Sequence, residues 1–258
     1  MSQIKRALCV GLNDYPGTGN DLRGCVNDAN AWANLLQNNF GFAAGETQML
    51  LDAQATKQNI LAGLQNLMAG AQAGDVLVYT NSSHGTYVAD DSGDEEYDEA
   101  VCAYDENILD DEYRAIFDTL PEGVNLTVIF DNCHSGSGTR LLDLTVQAKK
   151  RFMEPTARGL PKLGENAKPR AGTLDEEQMK EVLLSGCLAE EVSWDVKIGD
   201  TFHGAMTFCA IQAISQASRQ ITYHELHLRL QQILDSQGYT QHPQLEGKAV
   251  NKDRQLFS

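Results

Sequence analysis

The sequence predicts an α/β fold in which helices flank a central, mostly parallel sheet. Three observations lead there. Apolar runs at Lys5 to Leu12, Val76 to Thr80 and Leu126 to Phe130 read as strands. Segments with helical spacing separate them, so consecutive strands are joined by crossovers and pair in parallel. His84 and Cys133 fall just past strand ends, the edge of an open α/β sheet where ligands bind. With 258 residues, about three quarters of the unfolded surface can be buried, which is enough for a full core without disulfide staples.

The elements follow in order. The first strand runs into the loop Asn13 to Gly24. Asn27 to Phe40 is a helix, with Ala29, Trp32, Ala33, Leu35 and Leu36 at helical spacing and Asn27 or Asp28 as its cap. Thr47 to Leu51 is a short strand. Thr56 caps a helix reaching about Ala69, whose apolar face is Ile60, Leu61, Leu64, Leu67 and Met68. Gly74-Asp75 turns into the strand that ends before Asn81, Ser82, Ser83, His84 and Gly85. An acidic segment follows, in part an irregular hairpin, and Asp110 or Asp111 opens a helix to about Leu120. Pro121-Glu122-Gly123 then leads into Leu126 to Phe130. From Thr145 to Glu177 the periodicity fails, which reads as a mobile linker. Structure resumes with a strand at Glu181 to Gly186, a helix at Ala205 to Ser218, a helix capped by Thr222, and a short extended piece from His242 to Leu245.

Composition narrows the function. A net charge of −16 disfavours nucleic acid and anionic membranes and favours cationic ligands. Six cysteines are too sparse for a disulfide scaffold. The apolar run near the N-terminus is too short for a signal peptide, and none approaches the ~20 residues of a membrane helix. These features predict a soluble protein of a reducing compartment, most simply the cytoplasm. No Lys or Arg stands between Lys57 and Arg114, while acids crowd Asp90 to Glu112. By composition alone that run is a solvated loop.

The chemistry centres on Cys133 in Leu126 to Gly136, LTVIFDNCHSG. Most free cysteines are small buried hydrophobes, but Asp131, Asn132, His134 and Ser135 crowd this one, as around a nucleophile. If the strands before His84 and Cys133 are neighbours, the imidazole can activate the thiol and protonate a leaving amine. His134 is a rival base, disfavoured because adjacent side chains point apart. A zinc site of Cys133, His134 and His84 lacks the usual ligand spacing.

At this point the sequence resembles the metacaspases and orthocaspases, caspase-like cysteine peptidases. Carrying the resemblance are YPGTGNDLRGCVNDA from Tyr15 to Ala29, SSHGT from Ser82 to Thr86, and DEEYDE from Asp94 to Glu99. LDDE from Leu109 to Glu112, DNCHSGS from Asp131 to Ser137, LLSGC from Leu183 to Cys187, and HGAMTF from His203 to Phe208 extend it nearly end to end. The resemblance implies a caspase-like α/β/α sandwich. Residues 1–145 would be the large catalytic part, 146–178 a basic flexible linker, and 179–258 a small part sharing the same sheet.

It further implies an endopeptidase that cleaves protein or peptide substrates after Arg or Lys, acting as a monomer. Cys133 would be the nucleophile, His84 its acid–base partner, and the Gly85 and Cys133 N–H groups the oxyanion hole. Cys25, Asp28, Ser82 and Asp131 would line the specificity pocket, where two carboxylates suit a cation; taken alone, Asp28 is equally a helix cap and Asp131 a turn residue. Calcium would bind Asp98, Asp110 and Asp111, with Asp143 as fourth acid because Arg140 occupies the position aligned with it. The linker's Lys149, Lys150, Arg151, Arg158, Lys162, Lys168 and Arg170 would be targets for self-cleavage. Trp194 would shape the substrate cleft, or else simply pack. The alternative reading is a catalytically silent caspase-like binding or regulatory module.

Overall fold

The structure, a computed structural model, describes residues 3–89, 97–133, 147–161, 175–188, 191–217 and 220–258. Its strands are β1 (Lys5–Gly11), β2 (Thr47–Leu51), β3 (Val76–Ser82), β4 (Gly85–Ala89), β5 (Tyr97–Cys102), β6 (Asn107–Leu109), β7 (Asn125–Asp131), β8 (Ala148–Lys150), β9 (Val182–Ser185), β10 (Trp194–Ile198), β11 (Thr201–Gly204) and β12 (Gln244–Glu246). Its α-helices are α1 (Cys25–Phe40), α2 (Lys57–Met68), α3 (Asp110–Phe117), α4 (Ala205–Gln216), α5 (Tyr223–Ser236) and α6 (Ala249–Lys252).

The main sheet has the order β12-β9-β7-β3-β1-β2. All its pairs are parallel except β12 with β9. Because side chains alternate along a strand, each central strand feeds two cores. Ala7, Cys9, Val76, Val78 and Ile129 pack with Trp32, Leu36, Ile214 and Leu230, under α1, α4 and α5. Leu8, Val10, Leu77, Tyr79 and Val128 pack with Ile60, Leu64, Tyr113 and Phe117, under α2 and α3. The result is three layers, helix–sheet–helix. No helix among the described residues is long and apolar enough to cross a membrane.

Two small antiparallel sheets sit beside the main one, β4-β5-β6 and β11-β10-β8. The first is the expected acidic hairpin. The second corrects the linker expectation, since Ala148–Lys150 pairs with β10 and Pro155–Arg158 forms a 3-10 turn. A three-residue strand has no detectable periodicity, so only its tertiary partner, the β10 edge, reveals it.

Helix starts follow capping chemistry. Thr56 accepts from the Asn59 N–H and Thr222 from the Glu225 N–H, as expected. α1 differs: it begins at Cys25, and the Asn13 side-chain oxygen accepts from the Cys25 N–H at 2.9 Å. Asp28 is therefore not its cap but lies inside the first turn, where its carboxylate serves another purpose.

Candidate active site

β3 and β7 are neighbours in parallel register, with Ser82 opposite Asp131. His84 and Cys133 each follow by two residues, so both emerge at the carboxyl edge of the sheet. The loop after β1 closes over His84. The His84 backbone N–H donates to the Tyr15 hydroxyl at 2.8 Å, and the two rings lie 4.9 Å apart. The His84 Nε2 stands 2.6 Å from the Asn20 carbonyl oxygen. A carbonyl only accepts, so Nε2 carries the proton and Nδ1 is the basic atom. Nδ1 is buried, with no hydrogen-bond partner among the described residues. Burial lowers the His84 pKa to about 3, with the nearby Lys149 and Arg151 cations adding to the effect and the Asn20 carbonyl opposing it. The imidazole is neutral at physiological pH.

Arg151 fills the space between these groups. Its carbonyl oxygen accepts from the Gly85 N–H at 2.9 Å and from the Cys133 N–H at 3.2 Å. Its own N–H donates to the Ser193 carbonyl at 2.9 Å. The guanidinium is fully buried. Nη2 lies 2.5 Å from Asp28 Oδ2 and 3.1 Å from Asp195 Oδ1. Nη1 lies 3.2 Å from Asp131 Oδ2 and donates to the Asp131 carbonyl at 3.0 Å.

The three carboxylates are fixed in turn by backbone donors. Asp28 accepts from the Gly204 N–H, Asp131 from the Thr207 N–H and hydroxyl, and Asp195 from the Arg23 and Gly24 N–H groups. Gly204 leaves room for the guanidinium: a Cβ there would collide with Asp131 and Arg151. Burial opposes the charge on Arg151, but the surrounding acids outweigh it and hold its pKa well above the usual value. Burial raises the pKa of Asp131, against the pull of Arg151.

The other pocket residues expected from the sequence are here too. Ser82 is buried at the end of β3, and Cys25 is buried within electrostatic reach of Arg151, burial pushing its thiol pKa well up. The Cys133 thiol donates to the Glu191 carbonyl at 2.7 Å and meets the Cys187 thiol. His134 lies outside the described residues. Sequence reasoning missed Asp195, Tyr15, Asn20 and Cys187. Asp195 adjoins the flagged Trp194, but only the pairing of β10 with β8 brings it to the pocket.

Of the basic linker residues among those described, only Arg151 occupies the pocket. Lys149 donates from Nζ to the Asp21 carbonyl at 2.8 Å, and Lys150 pairs across from Trp194. Arg158 is engaged elsewhere, donating to Asn107 and the Ala103 carbonyl and lying 5.9 Å from the centre of the Tyr15 ring. Lys162, Lys168 and Arg170 lie outside the described residues. In the acidic segment, Asp98 is on β5, while Asp110 and Asp111 open α3. Among the described residues no three His, Cys, Asp or Glu side chains form a group that could hold a metal ion. Asp143, the fourth expected acid, lies outside the described residues, as do Asp90 to Glu96.

The family model described as metacaspase, peptidase C14 domain, matches residues 5–144. Metacaspase-1 of Arabidopsis thaliana is 37% identical over 240 residues, covering 86% of this chain and 62% of that protein. Metacaspase-2 of Trypanosoma brucei brucei is 33% identical over 278 residues, covering 99% of this chain and 76% of that protein. The chain thus spans less than two thirds of the Arabidopsis protein's length. Among solved structures, protein GSU0716 from Geobacter sulfurreducens matches with a TM-score of 0.75 at 22% identity, covering 99% of this chain and 98% of that one. Caspase-1 from Spodoptera frugiperda matches with a TM-score of 0.62 at 14% identity, covering 95% and 86%. At such identities the two structures establish the fold, a caspase-like α/β sandwich. With the family model spanning the strands that carry His84 and Cys133, and relatives matching on both sides of the linker, the chain belongs to the metacaspases.

Proposed function

We propose that the protein is a cysteine endopeptidase that cleaves after Arg, and by the same pocket after Lys, and that it cuts its own chain between Arg151 and Phe152. One observation carries this reading: the Arg151 carbonyl oxygen sits between the N–H groups of Gly85 and Cys133 while its guanidinium lies among three carboxylates. Two donors converging on one carbonyl oxygen are suited to the negative charge that develops there during acyl transfer. β8 beside β10 is the way an extended peptide joins a sheet edge.

In the proposed reaction Cys133 gives its proton to Nδ1 of His84, and the sulfur attacks the Arg151 carbonyl carbon. The C–N bond to Phe152 breaks as the imidazolium returns the proton to the leaving amine. Water, deprotonated by the same imidazole, hydrolyses the thioester, giving a carboxylate at Arg151 and restoring the Cys133 thiol. Asn20 holds the ring in the required tautomer.

Release of a fluorophore from an Arg-terminated peptide tests the activity. Wild type is expected to be active and Cys133→Ala inactive. No release by wild type, with or without calcium, would overturn the proposal; activity persisting in Cys133→Ala would overturn the assignment of the nucleophile.

A further inference from the structure

The chain beyond Arg151 stays on the protein. The Met153 N–H donates to the Gly85 carbonyl at 2.9 Å, and Phe152 forms a parallel bridge with Gly85. The Phe152 ring stacks on Tyr87, with centroids 5.8 Å apart and planes at 28°. Tyr87 is backed by Tyr97, at 5.3 Å and 47°. Tyr87 is on β4, two residues after Gly85, and Tyr97 is on the paired β5. The strand that supplies an oxyanion donor thus also presents an aromatic wall to the residue after Arg151. Met153 is buried at 1% exposure, in the core that contains Tyr15 and Cys102.

We infer that Tyr87, supported by Tyr97, forms a substrate subsite selecting an aromatic side chain immediately after the scissile Arg, with an apolar side chain favoured next. The inference rests on reading Arg151–Phe152 as a scissile bond. The physical basis is an offset ring pair in a water-poor cleft, which adds to plain area burial. The backbone bonds of Gly85 hold any residue there; Tyr87 provides the discrimination. When Phe152 and Met153 withdraw, the same walls are available to a second polypeptide. The favoured substrates are therefore proteins with an arginine followed by an aromatic and then an apolar residue.

The test compares two internally quenched peptides on the self-processed protein, one with phenylalanine and one with glycine directly after the arginine. A preference of about tenfold in kcat/KM for phenylalanine is expected, from the usual strength of aromatic pairs plus ring burial. Tyr87→Ala should bring the ratio close to one, while Tyr87→Phe should retain it. Equal rates on both peptides in wild type, or an undiminished preference in Tyr87→Ala, would overturn the subsite and leave the peptidase reading standing. Failure to cleave either peptide would instead overturn the peptidase reading and the subsite with it.

Discussion

Two groups of acidic side chains mark the molecule, and they behave in opposite ways. Asp28, Asp131 and Asp195 come from α1, β7 and β10, are buried, and surround one guanidinium. Asp98, Asp110 and Asp111 come from one acidic stretch, yet among the described residues they form no group able to hold a metal. The first group is assembled by the convergence of elements at the carboxyl edge of a parallel sheet, not by closeness along the chain. The distant acids cost free energy to bury and are tolerated because a cation and backbone donors meet them.

Substitutions sharpen that contrast. In a Cys133→Ala background, where the proposed self-cleavage is blocked, Asp131→Ala should destabilise the protein by about 3–5 kcal/mol, the usual penalty for removing one partner of a buried ion pair. Denaturant unfolding measures it, and the paired substitution Asp98→Ala, at a half-buried position of β5, should change stability far less. Gly204→Ala comes next: its methyl must displace Asp131 or Arg151, at about 1–3 kcal/mol for an overpacked site. It should also slow cleavage after arginine more than a surface Gly→Ala change does.

The pH dependence comes third. The folded pKa of His84, about 3, lies below the unfolded value of ~6.5. The unfolded chain therefore takes the proton first, so the stability contributed by neutral His84 is present above ~6.5 and is lost as pH falls towards 3. Replacing His84 by Gln in the Cys133→Ala background should flatten the fall in unfolding free energy across that range. Calcium comes last, with the smallest effect on stability. Asp143→Asn should abolish any calcium stimulation in a titration of peptide cleavage, as expected of an acid that joins Asp98, Asp110 and Asp111 in one site.

The legible and illegible parts of the sequence divide along the same line. The parallel sheet, the caps Thr56 and Thr222, and the placing of His84 and Cys133 at strand ends are readable because apolar periodicity and turn chemistry are local signals; that the two strands are neighbours is not. Asp28 was readable as acidic but not as a pocket wall by its own context, since Asn13 takes over the capping role from a loop away. β8, β10 and β11 were not readable: they are short, and their pairing is set by partners far off in sequence. Asp195 and the privileged position of Arg151 among the basic linker residues depend on that pairing, so neither had a local signature.

In the proposed reaction Arg151 is seated as a substrate residue, and this can be measured. Intact-mass analysis of the purified chain over time, with terminal sequencing of the products, addresses it most directly. A single primary break is expected, between Arg151 and Phe152, lost in Cys133→Ala and in Arg151→Ala. A chain that stays whole in wild type, or one first cut after Arg158, Lys162, Lys168 or Arg170 with Arg151–Phe152 left intact, would contradict it.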